Sequence, residues 1–295
     1  MPEKAFFVIC GIYYAMGKTF WGDCDRIFFI GIGGISMSGL ALYLKSRGFS
    51  VRGSDICEND RVAALRAAGV EVCPFHKREN LGDAQIVVQS SAIRADNPEL
   101  LAAQERGIKI VGRADLLELI SLDHQNVIAV AGCHGKTTAT AMCAHVLENC
   151  AGGVTAHIGG IDADFGNMKL GGRRFFVTEA CEYMGNFLKL TPGVALVLNS
   201  DADHLDYYGE ESNLFRAYCD FCEKSQAAIV CAEDKISAYI RPNMTFGLTQ
   251  KSDVCAEEIV GQGGKYAFTL RTGGEMLDRI RLNVYGRHNI YNALA

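Results

Sequence analysis

The stretch Val127-Ile128-Ala129-Val130-Ala131-Gly132-Cys133-His134-Gly135-Lys136-Thr137-Thr138 decides the fold. Five apolar residues read as a buried strand, the glycine-rich turn follows directly, and a helix is expected from about Lys136 to Glu148. A strand running into such a turn exposes successive backbone N–H groups at a helix N-terminus, where the helix dipole also favours anions. Lys136 adds a point charge suited to terminal phosphates, and the Thr137 hydroxyl is an oxygen ligand of the kind Mg²⁺ takes. The full G-x-x-x-x-G-K-[ST] pattern is not met, because Val130 stands at its first glycine. The strand, turn and helix context still favours a phosphate loop over a chance Gly-Lys-Thr.

Upstream, Gly31-Ile32-Gly33-Gly34-Ile35-Ser36 follows the apolar strand Arg26–Ile30, and Asp55 ends the next strand. Alone this reads as a dinucleotide-binding half. Ser36 replaces the third glycine, so a packing turn without a ligand stays open. Around it, strands at 50–53 and 86–89 alternate with helices at 36–47, 59–68, 98–106 and 114–120. That alternation predicts an α/β fold with a mainly parallel sheet covered on both faces. The polar segment Ser121–Gln125 marks the boundary between a first domain, 25–123, and a second, 124–295. In the second domain strands are expected at 174–178, 194–199 and 227–231. Beyond Met244, short strands and Gly-rich turns predict an antiparallel edge.

Acidic residues and a histidine gather at predicted strand ends: Glu179 and Glu182 after one strand, Asp201, Asp203, His204 and Asp206 after the next. Ligands of open parallel sheets sit beyond the carboxyl ends of the strands, so these groups face the mouth of the phosphate loop. Carboxylates and an imidazole there suit Mg²⁺ bridging phosphates, although solvated loop acids remain the alternative. Glu179 and His204 are taken as the metal ligands; Asp201 and Asp206 are assigned nothing. The C-terminal Gly286-Arg287-His288-Asn289 reads by composition as no more than a helix cap.

Of 295 residues, 49% are hydrophobic and 21% charged, with 32 Gly and 5 Pro, which excludes disordered, collagen-like and low-complexity chains. At roughly 150 residues per domain, the length suggests two domains. A net charge of -5 without a dense basic run argues against nucleic acid as the main partner. The 12 Cys are irregularly scattered in apolar segments, as expected of reduced thiols in the cytoplasm, and the lone pair Cys219 and Cys222 is read as incidental. No stretch approaches the roughly 20 apolar residues that cross a bilayer. Residues 1–24 resemble a signal peptide only weakly and are read as an extension whose Gly17-Lys18-Thr19 mimics a phosphate loop without its context.

Taken in order, these segments resemble the Mur ligases of peptidoglycan synthesis, from about Arg26 to Ala295. The resembling pieces are residues 30–41, Gly53-Ser54-Asp55, Ser90-Ser91-Ala92-Ile93 with Asn97-Pro98-Glu99, and Gly132–Thr138. They continue with Glu179–Glu182, Asn199 with Asp203-His204-Leu205-Asp206, and Gly286–Asn289 with Asn292. Within the family the likeness is strongest to the members that add L-alanine to UDP-N-acetylmuramate.

The resemblance implies a Rossmann-like UDP-binding domain and a central P-loop-type ATPase domain, with a C-terminal Rossmann-like domain that closes over the site. It implies that ATP phosphorylates the substrate carboxylate and that the incoming amine attacks the acyl phosphate. Gly33, Gly34, Ser36, Asp55, His76, Ser90, Ser91 and Asn167 would contact the UDP-sugar, so the dinucleotide reading yields to UDP. Gly132, His134, Gly135, Lys136, Thr137 and Thr138 would hold the ATP phosphates, with His288, Asn289 and Asn292 near the adenine or the phosphates. Lys136, Glu179 and His204 would be catalytic, and Thr137, Glu179 and His204 would hold Mg²⁺.

Three departures qualify this. Phe75-His76 stands where the family usually has Gly-His, Cys133 replaces the usual Thr, and Cys181 the usual Asp. Ala295 falls where the family's central domain ends, so the closing domain is expected to be absent and this chain alone to bind nucleotide without normal turnover. The alternatives are a ligase that joins a ready-made tripeptide to the same sugar, and a UDP-sugar-binding module without turnover. An NAD-dependent oxidoreductase would explain the first glycine turn but not Gly132–Thr138.

Overall fold

A computed structural model describes residues 21–295; most of the N-terminal extension, including Gly17-Lys18-Thr19, lies outside the described residues. The chain folds as two compact units. One takes the residues up to Gln125 and also Thr155–Arg173, and the other takes Asn126–Val154 and Arg174–Ala295.

In the first unit, β1 (Arg26–Ile30) leads through the glycine turn into α1 (Ile35–Ser46), followed by β2 (Ser50–Asp55), α2 (Asp60–Ala67) and β3 (Glu71–Pro74). After them come β4 (Ile86–Gln89), α3 (Pro98–Glu105), β5 (Lys109–Gly112) and α4 (Arg113–Ser121). The sheet order is β3-β2-β1-β4-β5 and every pair is parallel. Ile27, Phe28, Phe29 and Ile30 of β1 are all buried, the continuous apolar run expected of a strand covered on both faces. Each such side chain contributes about 1.5–3 kcal/mol by leaving water. The helices start where side chains can satisfy orphan N–H groups: Asn59 accepts from Arg61 and Val62, and Asn97 from Glu99 and Leu100 ahead of Pro98. The strand order reverses between β1 and its neighbours β2 and β4, so the turn after Ile30 and the Ser90 loop open on one crevice.

The second unit begins with β6 (Asn126–Ala131) and α5 (Lys136–Ala151), but the next two strands return to the first unit. These are β7 (Thr155–Asp162) and β8 (Gly166–Lys169), an antiparallel pair. A single cut at 123/124 makes no provision for that return. Its physical basis is packing on α1: a Cβ at Gly39 would stand 3.3 Å from both the Asn167 carbonyl oxygen and Met168 Cβ, so a side chain there would push the hairpin back by a few tenths of an ångström. The Asn167 amide donates to the Ile35 carbonyl at 2.6 Å and to Ser38 Oγ at 2.8 Å, and His157 Nε2 lies 2.9 Å from Ser36 Oγ.

The second unit continues with β9 (Phe175–Glu179), β10 (Val194–Val197), α6 (Leu205–Tyr208), α7 (Glu211–Glu223) and β11 (Ala227–Cys231). It ends with β12 (Met244–Gly247), β13 (Val254–Gln262), β14 (Lys265–Thr272), β15 (Glu275–Tyr285) and α8 (His288–Leu294). Its strands lie in the order β9-β6-β10-β11-β12-β13-β14-β15. Pairing is parallel from β9 to β13 and antiparallel across β13, β14 and β15. The antiparallel edge therefore starts at β13 rather than at Met244, and its strands are long, 8 to 11 residues. Leu214, Tyr218 and Phe221 of α7 are buried, with Phe187 stacked on Phe221 at 5.0 Å. Cys222 belongs to the same buried face, while Cys219 lies partly exposed; all described cysteines are free thiols.

Candidate functional site

In the second unit β6 lies between β9 and β10, with Val130 in register with Glu179 and Ala131 with Val197. The loop Gly132–Gly135 therefore emerges between two strand ends that carry the acidic segments. Asn199, just past β10, clamps the loop: its Oδ1 accepts from the His134 N–H at 2.8 Å and its Nδ2 donates to the His134 carbonyl at 2.9 Å. Gly135 caps α5 at φ +85°, and a Cβ there would lie 2.5 Å from Asn292 Oδ1, so conformation and space both demand glycine. The N–H groups of Lys136, Thr137 and Thr138 follow in the first helical turn, where they have no intrahelical partner.

Lys136 does not stand free in solvent. Its ammonium donates to the Gly132 and Cys133 carbonyls and to both oxygens of Glu182 at 3.1 Å, with the Lys136 side chain 15% and that of Glu182 2% exposed. His204 Nε2 lies 3.8 Å from Glu182 Oε1, the Tyr183 ring lies 5.0 Å from the His204 ring, and the Tyr208 hydroxyl donates to the Glu182 carbonyl at 2.5 Å. Burial raises the Tyr208 phenol well above its ordinary range, which keeps it a donor. His204 holds the left-handed conformation at φ 56°, a strain typical of functional positions. Glu182 and Asn199 thus join the loop, although the sequence reading had assigned them no role.

A cavity of about 300 Å³ adjoins the loop, lined by His134, Gly135, Leu198, Asn199, Cys231, Glu233, Asp234, His288, Tyr291 and Asn292. Of the three C-terminal residues singled out, His288 and Asn292 line it. Asn289 is turned inward, donating to the Tyr285 carbonyl at 2.7 Å and accepting from Asn292 Nδ2 at 2.8 Å, so it orients Asn292. Glu233 and Asp234 were not foreseen, and both are committed elsewhere: Glu233 accepts from the Leu248 and Thr249 N–H groups, and Asp234 from the Ser200 and Ile236 N–H groups.

For a hard cation, Thr137 offers a hydroxyl in the first turn of α5, Glu179 a carboxylate at the end of β9, and His204 an imidazole after β10, at the start of α6. Two oxygen donors and one nitrogen, distributed on both flanks of an anion-binding loop, fit Mg²⁺ shared with phosphates. A second set lies close by. Cys133 Sγ is 3.5 Å from His134 Nε2 and 3.5 Å from Asp203 Oδ2, while His134 Nε2 is 3.5 Å from Asp201 Oδ2. Burial, then the hydrogen bond to Asp203, pushes the Cys133 thiol up to about 12.

The glycine turn of the first unit is organised differently. The Gly31 and Ile32 N–H groups donate to the Ser54 carbonyl, Gly33 to Asp55 Oδ2 at 2.8 Å, and Gly34 to the Gly31 carbonyl. Those donors are used internally, which leaves the first-turn N–H groups of Ile35, Ser36 and Met37 for an anion. Ser36 Oγ is engaged with His157, and Arg113 reaches it at 3.4 Å. His76 lies against a fully buried carboxylate: Glu99 Oε2 is 2.8 Å from His76 Nδ1 and accepts from Ser54 at 2.6 Å, while Asn80 donates to Oε1 at 2.6 Å. The preceding Phe75 takes φ +60°, the left-handed region that favours glycine. Ser90 is half-buried and Ser91 exposed at the end of β4, while the Asn167 amide is spent on α1.

Residues 26–125 match the pattern of the Mur ligase family, catalytic domain, and residues 130–295 that of the Mur ligase middle domain. The chain is 41% identical to the UDP-N-acetylmuramate–L-alanine ligase of Acetivibrio thermocellus over 92% of its own length and 60% of the relative's. It is 41% identical to the enzyme of that name from Trichlorobacter lovleyi, over 93% and 62%. The chain thus spans about 60% of the length of these curated relatives. Among solved structures it is similar to a UDP-N-acetylmuramate–alanine ligase from Thermotoga maritima, with TM-score 0.84, 32% identity and coverage of 91% and 63%. It is also similar to the UDP-N-acetylmuramate:L-alanyl-gamma-D-glutamyl-meso-diaminopimelate ligase from Neisseria meningitides, with TM-score 0.81, 25% identity and coverage of 92% and 91%.

Proposed function

The chain belongs to the Mur ligase family, and from that premise we propose that it carries the UDP-sugar-binding and ATP-binding units of an enzyme joining L-alanine to UDP-N-acetylmuramate. The carrying observation is the Lys136 ammonium held at a glycine loop that opens beside the cavity of His134, Asn199, His288 and Asn292. Lys136 and the first-turn N–H groups of α5 bind the ATP phosphates, and the cavity takes the nucleoside. Glu182 acts on Lys136 as a positioning residue, keeping the ammonium at the loop. In the first unit, the N-terminal turn of α1 receives the diphosphate of the UDP-sugar, flanked by Asp55, His76, Ser90 and Ser91.

The sugar's carboxylate attacks the terminal phosphate of ATP, releasing ADP and forming an acyl phosphate; the amine of alanine then displaces phosphate and loses a proton. Thr137, Glu179 and His204 would hold Mg²⁺, which neutralises phosphate oxygens when bound. Two carboxylate-rich strand ends around a cationic loop support phosphate activation better than hydride transfer, which has no use for Lys136. Alanine is favoured over a tripeptide because the relatives at 41% identity are named for L-alanine, whereas the tripeptide ligase stands at 25%. The same reading puts the chain in the cytoplasm; among the described residues no helix is long and apolar enough to cross a membrane.

Calorimetry on the whole chain tests this. UDP-N-acetylmuramate should bind with ADP absent, and ADP with the UDP-sugar absent. Displacement of the UDP-sugar by NADH would overturn the reading, and binding of tripeptide but not of L-alanine to the chain loaded with UDP-sugar and nucleotide would transfer it to the tripeptide branch.

A further inference from the structure

At the mouth of the phosphate loop the Cys133 thiol, the His134 imidazole and the Asp201 carboxylate converge, their donor atoms all within 4.8 Å of one another. Two of the edges measure 3.5 Å, Sγ to Nε2 and Nε2 to Oδ2. A tetrahedral ion with Zn–S near 2.3 Å and Zn–N or Zn–O near 2.1 Å sets its donors roughly 3.4–3.6 Å apart. Two of the cluster's three edges have the length found in that tetrahedron, and the third lies within 4.8 Å.

The frame is held. Asn199 bonds both backbone groups of His134, and the Asp203 N–H donates to the Asp201 carbonyl at 2.8 Å, tying down the segment that presents Asp201. Asp203 Oδ2, 3.5 Å from Cys133 Sγ, adds a second carboxylate beside the thiol. His134 and Asp201 are exposed, so an ion reaches the cluster directly from solvent.

We propose that Cys133, His134 and Asp201 form a binding site for a soft divalent cation of the Zn²⁺ type, separate from the Mg²⁺ donors Thr137, Glu179 and His204. The donor types make the selection. Thiolate and imidazole favour Zn²⁺ and its softer congeners, whereas Mg²⁺ prefers an oxygen shell and gives up its waters reluctantly. The fourth position is left to water or to Asp203. The site rests on the cluster's own geometry and holds whether or not the adjoining cavity takes ATP.

The whole chain, reduced and freed of metal, is titrated with Co²⁺ alone and then with Zn²⁺ against a chromophoric chelator. About one equivalent of Co²⁺ should give a thiolate charge-transfer band that Zn²⁺ abolishes and excess Mg²⁺ does not. Cys133→Thr should remove the band and weaken Zn²⁺ binding by at least about tenfold, since losing even an outer-shell partner commonly costs that much. Asp201→Asn, a change on an exposed side chain, should keep the band but weaken Zn²⁺ binding by about tenfold. A band that survives Cys133→Thr would place the ion on another cysteine and overturn the proposal, as would unchanged Zn²⁺ affinity in Asp201→Asn.

Discussion

The two units use one backbone device, a parallel strand running through a glycine turn into a helix, and furnish it with opposite charge. After β1 the turn spends its donors internally and presents the Asp55 carboxylate; after β6 it presents the Lys136 ammonium. Beneath each lies a buried glutamate. Glu99 is satisfied by Ser54, His76 and Asn80, whereas Glu182 depends on Lys136. Shared backbone geometry therefore says only that an anion is welcome. The side chains decide how densely charged it is, and also how much stability rests on the binding group itself.

The largest expected effect follows from that last difference. Lys136→Ala strips a buried carboxylate of its partner, and breaking such a pair costs about 3–5 kcal/mol. A lysine standing free in solvent could be removed without that loss. Urea titration should show the loss, and adding Glu182→Gln should recover much of it without recovering ADP binding. Equal stability of Lys136→Ala and the unmodified chain would mean that Lys136 is as dispensable to its unit as a surface charge.

Acid should act on the other unit. His157 and His124, both of the first unit, are each held down to about 4 from an ordinary 6.5, chiefly by burial, His157 further by Arg113. For His124 the hydrogen bond to the Ile120 carbonyl and the Asp123 charge oppose the shift, while Arg47 and Arg173 assist it. Folded, these imidazoles refuse protons that the unfolded chain accepts, so stability is lost as pH falls from about 6.5 toward 4. Between pH 6.5 and 5.5 the two together should cost about 2 kcal/mol. Hydrogen exchange should show protection falling faster in β1 and α1 than in β6 and α5. Equal loss in both would remove the contrast.

A smaller effect is expected at Phe75. Its ring is exposed while its backbone sits at φ +60°, so Phe75→Gly should relieve strain and raise stability by about 0.5–1 kcal/mol, net of glycine's extra freedom when unfolded. Thermal melting checks this, and a fall in melting temperature would mean that the ring stabilises the turn by more than the strain costs.

Short apolar strands were legible, because β1, β4, β6, β10 and β11 are largely buried and leave little ambiguity. The hairpin β7 and β8 was not. Thr155–Asp162 mixes histidine and glycines, and the hairpin packs through Asn167 and Met168 on an α1 glycine far away in sequence, so no local pattern announces it. In the site, Lys136 and the strand-end acids could be picked by motif and topology. The choice of Glu182 to hold Lys136, and of Asn199 to clamp His134, depends on side-chain direction at the ends of β9 and β10, which spacing does not reveal.

The hairpin's detour also bears on how the molecule is born. A chain emerging from the ribosome delivers β1 through α4 first, yet one face of α1 stays uncovered until Asn167 can reach Ile35 and His157 can reach Ser36. Before that, synthesis must pass through β6 and α5, which belong to the other unit. Vectorial folding normally finishes one body before starting the next. In this chain the two mature interleaved, and a ribosome stalled anywhere before Thr155 leaves even the first one unfinished.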